Sequence, residues 1–197
     1  MELHELIGWS AAVFSIAGYI PFIIAILRKE KPVRPNRATW FVWALVSGII
    51  FVSYYEAGAR ATVIVPFAYA VGSTIIALLS LKYGEGGWTP FDRKCLYAAG
   101  GSLVLWGVFT TPLIALLTNT AIDIIGGLPT IKKSYHNPES EDWLTWTFYF
   151  IGGTLNVVAI EEWSFIIALY PVAMIVLITI IAVLVVLRPQ QAYRPES

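Results

Sequence analysis

Charge is what this chain has least of. Asp, Glu, Lys and Arg make up 13% of its 197 residues and hydrophobic residues 57%, whereas an ordinary soluble domain carries about 25% charged residues. So little charge cannot cover a water-facing surface, which excludes a soluble globular domain. Cysteine is nearly absent as well. Cys95 stands alone, so no disulfide closes within the chain, and beside Arg93 and Lys94 it reads as a small apolar filler. The histidines, His4 and His136, are isolated, and no residues show metal-ligand spacing. Nucleophile elbow, phosphate loop, dinucleotide fingerprint and nucleic-acid module are all missing. The last apolar run has no lysine, which excludes a retinal Schiff base. The expectation is a non-enzyme with no cofactor and no metal, and with no nucleic acid among its partners.

What the chain does have is apolar runs of membrane length. A bilayer core takes about 20 apolar residues per helix, and the runs predict helices at about 6–28, 38–56, 61–82, 93–110, 112–134, 143–160 and 163–187. The acidic start MELHELIGWS lacks the basic region of a secretory signal, so the first run is expected to be a retained span. The stretch from Cys95 to Ile131 holds one charge, Asp123, and is divided at Pro112, because proline favours the first position of a helix. With these spans, Arg28, Lys29, Lys31, Arg34, Arg37 and Lys82 fall on one side. Arg93, Lys94, Lys132, Lys133, Arg188 and Arg194 join them, and Arg60 alone falls on the other. Glu2, Glu5, Glu56, Glu161 and Glu162 accompany Arg60. The positive-inside rule then puts the N-terminus outside and the C-terminus in the cytoplasm of a plasma-membrane protein. The basic loop Arg28 to Arg37 is expected to touch anionic lipid headgroups.

An internal repeat divides the chain. GYIPFI (Gly18 to Ile23) matches GGLPTI (Gly126 to Ile131), with Pro21 opposite Pro129. RATWFVW (Arg37 to Trp43) matches WLTWTFY (Trp143 to Tyr149), and Pro66 and Thr74 match Pro171 and Thr179. Each copy holds three predicted helices, so the copies share an orientation only if one further helix separates them. The fold expected is an all-α membrane protein of seven transmembrane helices. Two parallel three-helix bundles, 1–84 and 112–197, are joined by an inverting linker helix within 85–111. Parallel repeats of this kind place a site between the halves near mid-membrane.

This 3+1+3 arrangement, with a proline in each first helix and a tryptophan-rich second helix, resembles the PQ-loop and SWEET (MtN3) transporter superfamily. Phe22 and Thr130 stand where the name-giving glutamine would follow each proline, and GTLNVV (Gly153 to Val158) is similar to the asparagine-containing sixth helix of the sugar transporters. The resemblance implies a carrier working by alternating access on a small molecule: a sugar, an amino acid or a vitamin-like compound. It also implies that Pro21, Pro66, Pro129 and Pro171 are hinges. A non-transporting receptor or assembly protein on the same scaffold is the alternative. Both halves are in one chain, so a monomer suffices.

The residues themselves point to a site. Trp40, Trp43, Ser47 and Ile50 share one helix face, and Trp146, Tyr149, Gly153 and Asn156 share the matching face. Trp40 and Trp146 are expected as interfacial anchors. Trp43, Tyr149 and Asn156 lie deeper and are substrate-binding candidates, with Tyr69, Ser73 and Tyr19. Asp123 is the one acid well inside a predicted span, where an ionised carboxylate is costly unless paired, hydrated or protonated. It is the candidate for proton coupling, with Asn119 one turn earlier and Thr118 and Thr120 nearby as expected sources of polar contacts.

Overall fold

The structure is a computed structural model and describes residues 3–30, 32–56, 64–86, 89–108, 112–160, 163 and 165–186. All regular elements among them are helical. The first half holds α1 (Leu3–Ala17), α2 (Tyr19–Leu27), α3 (Arg37–Glu56) and α4 (Ile64–Tyr83). Then come α5 (Pro90–Val108), α6 (Pro112–His136), α7 (Trp143–Val158) and α8 (Phe165–Val186), with a single 3-10 turn at Pro138–Ser140 before α7. Where the flanking residues are described, helix ends fall within three residues of those predicted from the sequence. Two helical runs, Leu6–Leu27 and Ala168–Val186, are long and apolar enough to cross a membrane. Glu2, Lys31, Arg60, Glu161, Glu162, Arg188 and Arg194 lie outside the described residues, as do the side chains of Glu5, Ile50, Glu56 and Pro66.

The break between α1 and α2 follows from Pro21. Proline has no N–H to offer the carbonyl four residues back, and that carbonyl belongs to Ala17, the last residue of α1. Gly18 keeps helical dihedrals, and its N–H reaches the Phe14 carbonyl at 3.2 Å, so the chain bends little. Pro129 and Pro171 lie inside continuous helices, and Pro66 falls in the first described turn of α4. Of the matched prolines, Pro21 alone coincides with a break.

Helix starts carry their caps in the sequence. The Asn36 side chain accepts from the Thr39 N–H at 3.1 Å. At the matching place in the repeat, Asp142 accepts from the Thr145 N–H at 2.9 Å and from its hydroxyl at 2.8 Å. Before α5, Thr89 and Asp92 cap one another's backbone N–H groups, with Pro90 as the first helical residue.

Packing follows a simple order. α4 contacts both α3 and the α1–α2 pair, while α8 contacts both α6 and α7. Between these groups, α1 and α2 pack on α7, and α3 packs on α6. α5 packs on α6 and touches α3. The buried core gathers around Phe22, Ile26, Trp40 and Ile76 in the first half and around Trp146 and Ile181 in the second.

The turns that carry the basic residues meet at one end of the molecule. The Arg34 N–H donates to the Ser140 carbonyl at 2.9 Å, and the Arg37 N–H to the Glu85 carbonyl at 3.1 Å. Lys132 sits 4.5 Å over the Phe91 ring. Lys133 is the centre of this end: it donates to the Arg34 carbonyl and forms an ion pair with Glu141. The other Glu141 oxygen accepts from Trp146 Nε1 at 3.0 Å. Burial raises the Glu141 carboxyl above the usual carboxylate range, and Lys133 opposes that rise. A carboxyl raised in the folded state favours folding below its unfolded pKa and loses that advantage as pH climbs through its folded one. Lys133→Met therefore lowers stability by about 3–5 kcal/mol at neutral pH, the cost of leaving one member of a buried pair alone. The deficit shrinks as the pH falls and Glu141 takes up a proton. Thermal unfolding of purified variant and parent at pH 5 and pH 8 measures both effects.

Candidate functional site

A cavity of about 470 Å³ opens between the two packed groups of helices, within the usual range for small-ligand pockets of about 300–1,000 Å³. The first half contributes Ser15 from α1, Tyr19 from α2, Trp43 and Ser47 from α3, and Tyr69 and Ser73 from α4. The second half contributes Asp123 from α6, Tyr149, Gly153 and Asn156 from α7, and Tyr170 and Met174 from α8. No described residue of α5 lines it. All six substrate-binding candidates named from the sequence are brought together here, and so is Asp123. Asn119 does not line the cavity.

Two fully buried tryptophans close one side of the cavity. Trp40 and Trp146 are each 1% exposed, so neither is an anchor in the headgroup layer; that expectation is corrected. The reason is the turn that precedes each helix. Val33, from the turn before α3, packs in the buried cluster with Trp40, and Glu141, from the turn before α7, accepts from Trp146 Nε1. The two rings belong to a closed circuit of five aromatics drawn from both halves. Ring centroids are 6.2 Å apart from Tyr19 to Trp40, 5.2 Å from Trp40 to Trp43 and 6.4 Å from Trp43 to Trp146. From Trp146 to Tyr149 and from Tyr149 back to Tyr19 the spacing is 5.7 Å. Tyr69 joins the circuit at Tyr19, 6.1 Å away. Interplanar angles of 60° to 85° around the circuit give edge-to-face contacts, the favourable arrangement for ring quadrupoles. On the far side of this floor, the Thr130 hydroxyl donates to that of Thr39 at 2.9 Å, again across the halves.

The repeat is visible in the circuit, and so is its one departure. Trp40 and Trp43 match Trp146 and Tyr149, and the two pairs meet at nearly the same angle, 85° and 83°. Tyr19 has Gly127 as its counterpart. The volume is exchanged between neighbouring helices. Tyr19 lies over Gly72, where an added Cβ would come within 2.9 Å of its ring, whereas Gly127 receives Leu177, whose methyls would sit 2.9 Å from an added Cβ. Gly72 and Leu177 are themselves matching positions. The large residue is thus on the first helix of one half and on the third helix of the other.

Most polar groups in the cavity are already paired. Tyr19 and Ser73 share a hydrogen bond of 2.9 Å, and Tyr69 bonds Ser15. Trp43 Nε1 donates to the Asp123 carbonyl at 3.2 Å, and the Tyr170 hydroxyl donates to the Asp123 carboxylate. Asp123 is 4% exposed, and among the described residues nothing donates to its Oδ2. The Tyr149 hydroxyl is likewise buried with no partner among them. Asn156 is exposed into the cavity.

Sequence reasoning missed Ser15 and Tyr170. A signal existed for the first: the offset that aligns Pro21 with Pro129 also places Ser15 opposite Asp123. Each of these first-helix residues receives a tyrosine from the third helix of its own half. Tyr170 carried no such signal, because its counterpart, Val65, is apolar. No group among the described residues has the spacing of a metal site. In comparisons with known proteins, no family model, curated protein or solved structure matches the chain.

Proposed function

We propose that this protein is a membrane carrier that moves a small polar solute by alternating access, with the cavity as its substrate site. Two three-helix bundles lie side by side in the plasma membrane, α1 to α4 and α6 to α8, each counting α1 and α2 as one helix, with α5 as the inverting linker. The N-terminus is outside, and the basic end faces the cytoplasm. Several observations support this reading. Exchanging the halves turns the α1–α7 contact into the α6–α3 contact, and both occur. In each half the third helix contacts the other two. Apolar side chains such as Ile20, Ile24, Leu78, Val104 and Val176 point outward, each more than half exposed, and an apolar surface of that extent needs a non-aqueous neighbour.

The observation that carries the proposal is the cavity lined from both halves, omitting the linker and closed on one side by contacts that cross between halves. Rocking one bundle against the other would part the aromatic floor and the Lys133 cluster and expose the site to the cytoplasm. Asp123 couples that motion to protons, Asn119 helps to position α6 one turn away, and Pro21, Pro66, Pro129 and Pro171 are the hinges around which the bundles move. A cysteine at Thr39 tests this without any substrate. Thr39 is wholly buried beyond the floor, and Cys95→Ser removes the one native thiol. In inside-out vesicles, Thr39→Cys on that background reacts with a water-soluble maleimide if the floor opens. A receptor with a fixed floor leaves it protected.

A further inference from the structure

The free polar groups in the cavity are few, and they select a ligand. A polyol needs several hydrogen-bond partners, but Tyr19, Ser73, Ser15, Tyr69 and Tyr170 are engaged with one another or with Asp123. The groups left are the Asp123 Oδ2, the Tyr149 hydroxyl, the Asn156 amide, Trp40 Nε1 and the Ser47 hydroxyl, and of these the Asp123 oxygen alone carries charge. Among the described residues no lysine, arginine or histidine lines the cavity, and none there neutralises the carboxylate. Around it stand Trp43, Tyr19, Tyr69 and Tyr149, none of them stacked in parallel with a neighbour. A carboxylate beside several aromatic rings in a desolvated pocket favours a positive charge on two counts: direct ion pairing, and attraction of the cation to ring faces.

We infer that the ligand of this cavity is an organic monocation, its ammonium group held between Asp123 Oδ2 and the rings of Trp43, Tyr19 and Tyr149. The cavity, about 470 Å³, leaves room for a small body attached to the ammonium, reaching toward Asn156. Chloride and other anions are repelled by the carboxylate, and a neutral polyol gains no ion pair from it. This inference rests on the cavity being the substrate site.

The test uses the purified full-length protein in nanodiscs and two matched pairs of probes. Choline is compared with 3,3-dimethylbutan-1-ol, its uncharged isostere, and tyramine with 4-(2-hydroxyethyl)phenol. Binding is read from tryptophan fluorescence and from the shift in unfolding temperature. At least one cation is expected to bind tenfold or more tightly than its isostere. Asp123→Asn is expected to remove that preference, and Tyr149→Leu to weaken the cation fivefold or more. Equal binding of cation and isostere, or no binding by either cation, overturns the inference, and measurements on the parent protein suffice for that, whether or not the variants fold. The carrier reading is judged separately by Thr39→Cys. A reactive cysteine without cation preference leaves the carrier and removes the cation; a protected cysteine with cation preference does the reverse.

Discussion

On the proposed carrier reading, Asp123→Asn is expected to abolish the pH dependence of solute exchange in proteoliposomes and to cut proton-driven uptake sharply, because an intramembrane carboxylate is the group that would carry the proton. The groups facing Asp123 are Tyr170 from α8, Trp43 from α3 through the backbone carbonyl, and Tyr19 and Tyr69 across the cavity. None is a base that could replace the carboxylate as a proton acceptor near neutral pH. Asparagine preserves the size of the side chain and a carbonyl oxygen for Tyr170, so the fold should persist and the change should be functional. Exchange is best followed as counterflow of labelled choline or tyramine at pH 6 and pH 8. A variant with the parent's pH dependence would remove Asp123 from the coupling role and leave the carrier itself in place.

The second large effect is on stability. Gly152→Leu should lower stability by about 3 kcal/mol or more, because overpacking against a backbone cannot relax through side-chain rotation. A Cβ at Gly152 would lie 3.0 Å from the Ser15 backbone nitrogen and 3.1 Å from the Ala11 carbonyl oxygen. Those atoms belong to α1, so α1 and α7 would have to separate, and with them the contact between the halves. Small residues at helix crossings serve this purpose in membranes, where close backbone approach replaces the hydrophobic effect as a source of association. Gly100→Ala supplies the contrast. Nothing lies within 4 Å of a Cβ at Gly100, and exchanging glycine for alanine inside a helix gains about 0.5–1 kcal/mol. Unfolding temperatures in one detergent should move in opposite directions for the two variants. A Gly152→Leu protein as stable as the parent would mean that α1 and α7 do not cross as closely as described.

The candidate site was legible where the repeat was legible. The matched faces of α3 and α7 differ in sequence, yet both carry an aromatic pair four positions into the helix and a small or polar residue deeper. Helical periodicity alone puts those residues on one side. Asp123 was visible because a charge in an apolar run is expensive enough to need a reason. The depth of Trp40 and Trp146 was not legible. A tryptophan at the start of an apolar helix looks the same whether it meets headgroups or residues of the preceding turn, and only the contacts of Val33 and Glu141 distinguish the two.

Gly152 shows the same limit from another direction. Its counterpart in the repeat is Val46, 2% exposed in a core with Val42 and Ile122. Valine and glycine at matching places cannot be ranked from sequence, since the choice depends on which helix crosses there. The Tyr19–Gly72 and Gly127–Leu177 exchange is of this kind as well. Each residue is reasonable alone, and the compensation appears only when the neighbouring helix is known.

Helical character, helix ends and the duplication were all readable from the order of residues. They depend on local quantities: apolar run length, caps and proline, and charge at the turns. Packing alone settled which rings close into one circuit, which polar groups find partners, and that Asp123 Oδ2 does not. Those outcomes depend on distances between residues far apart in the chain, and no local pattern encodes a distance.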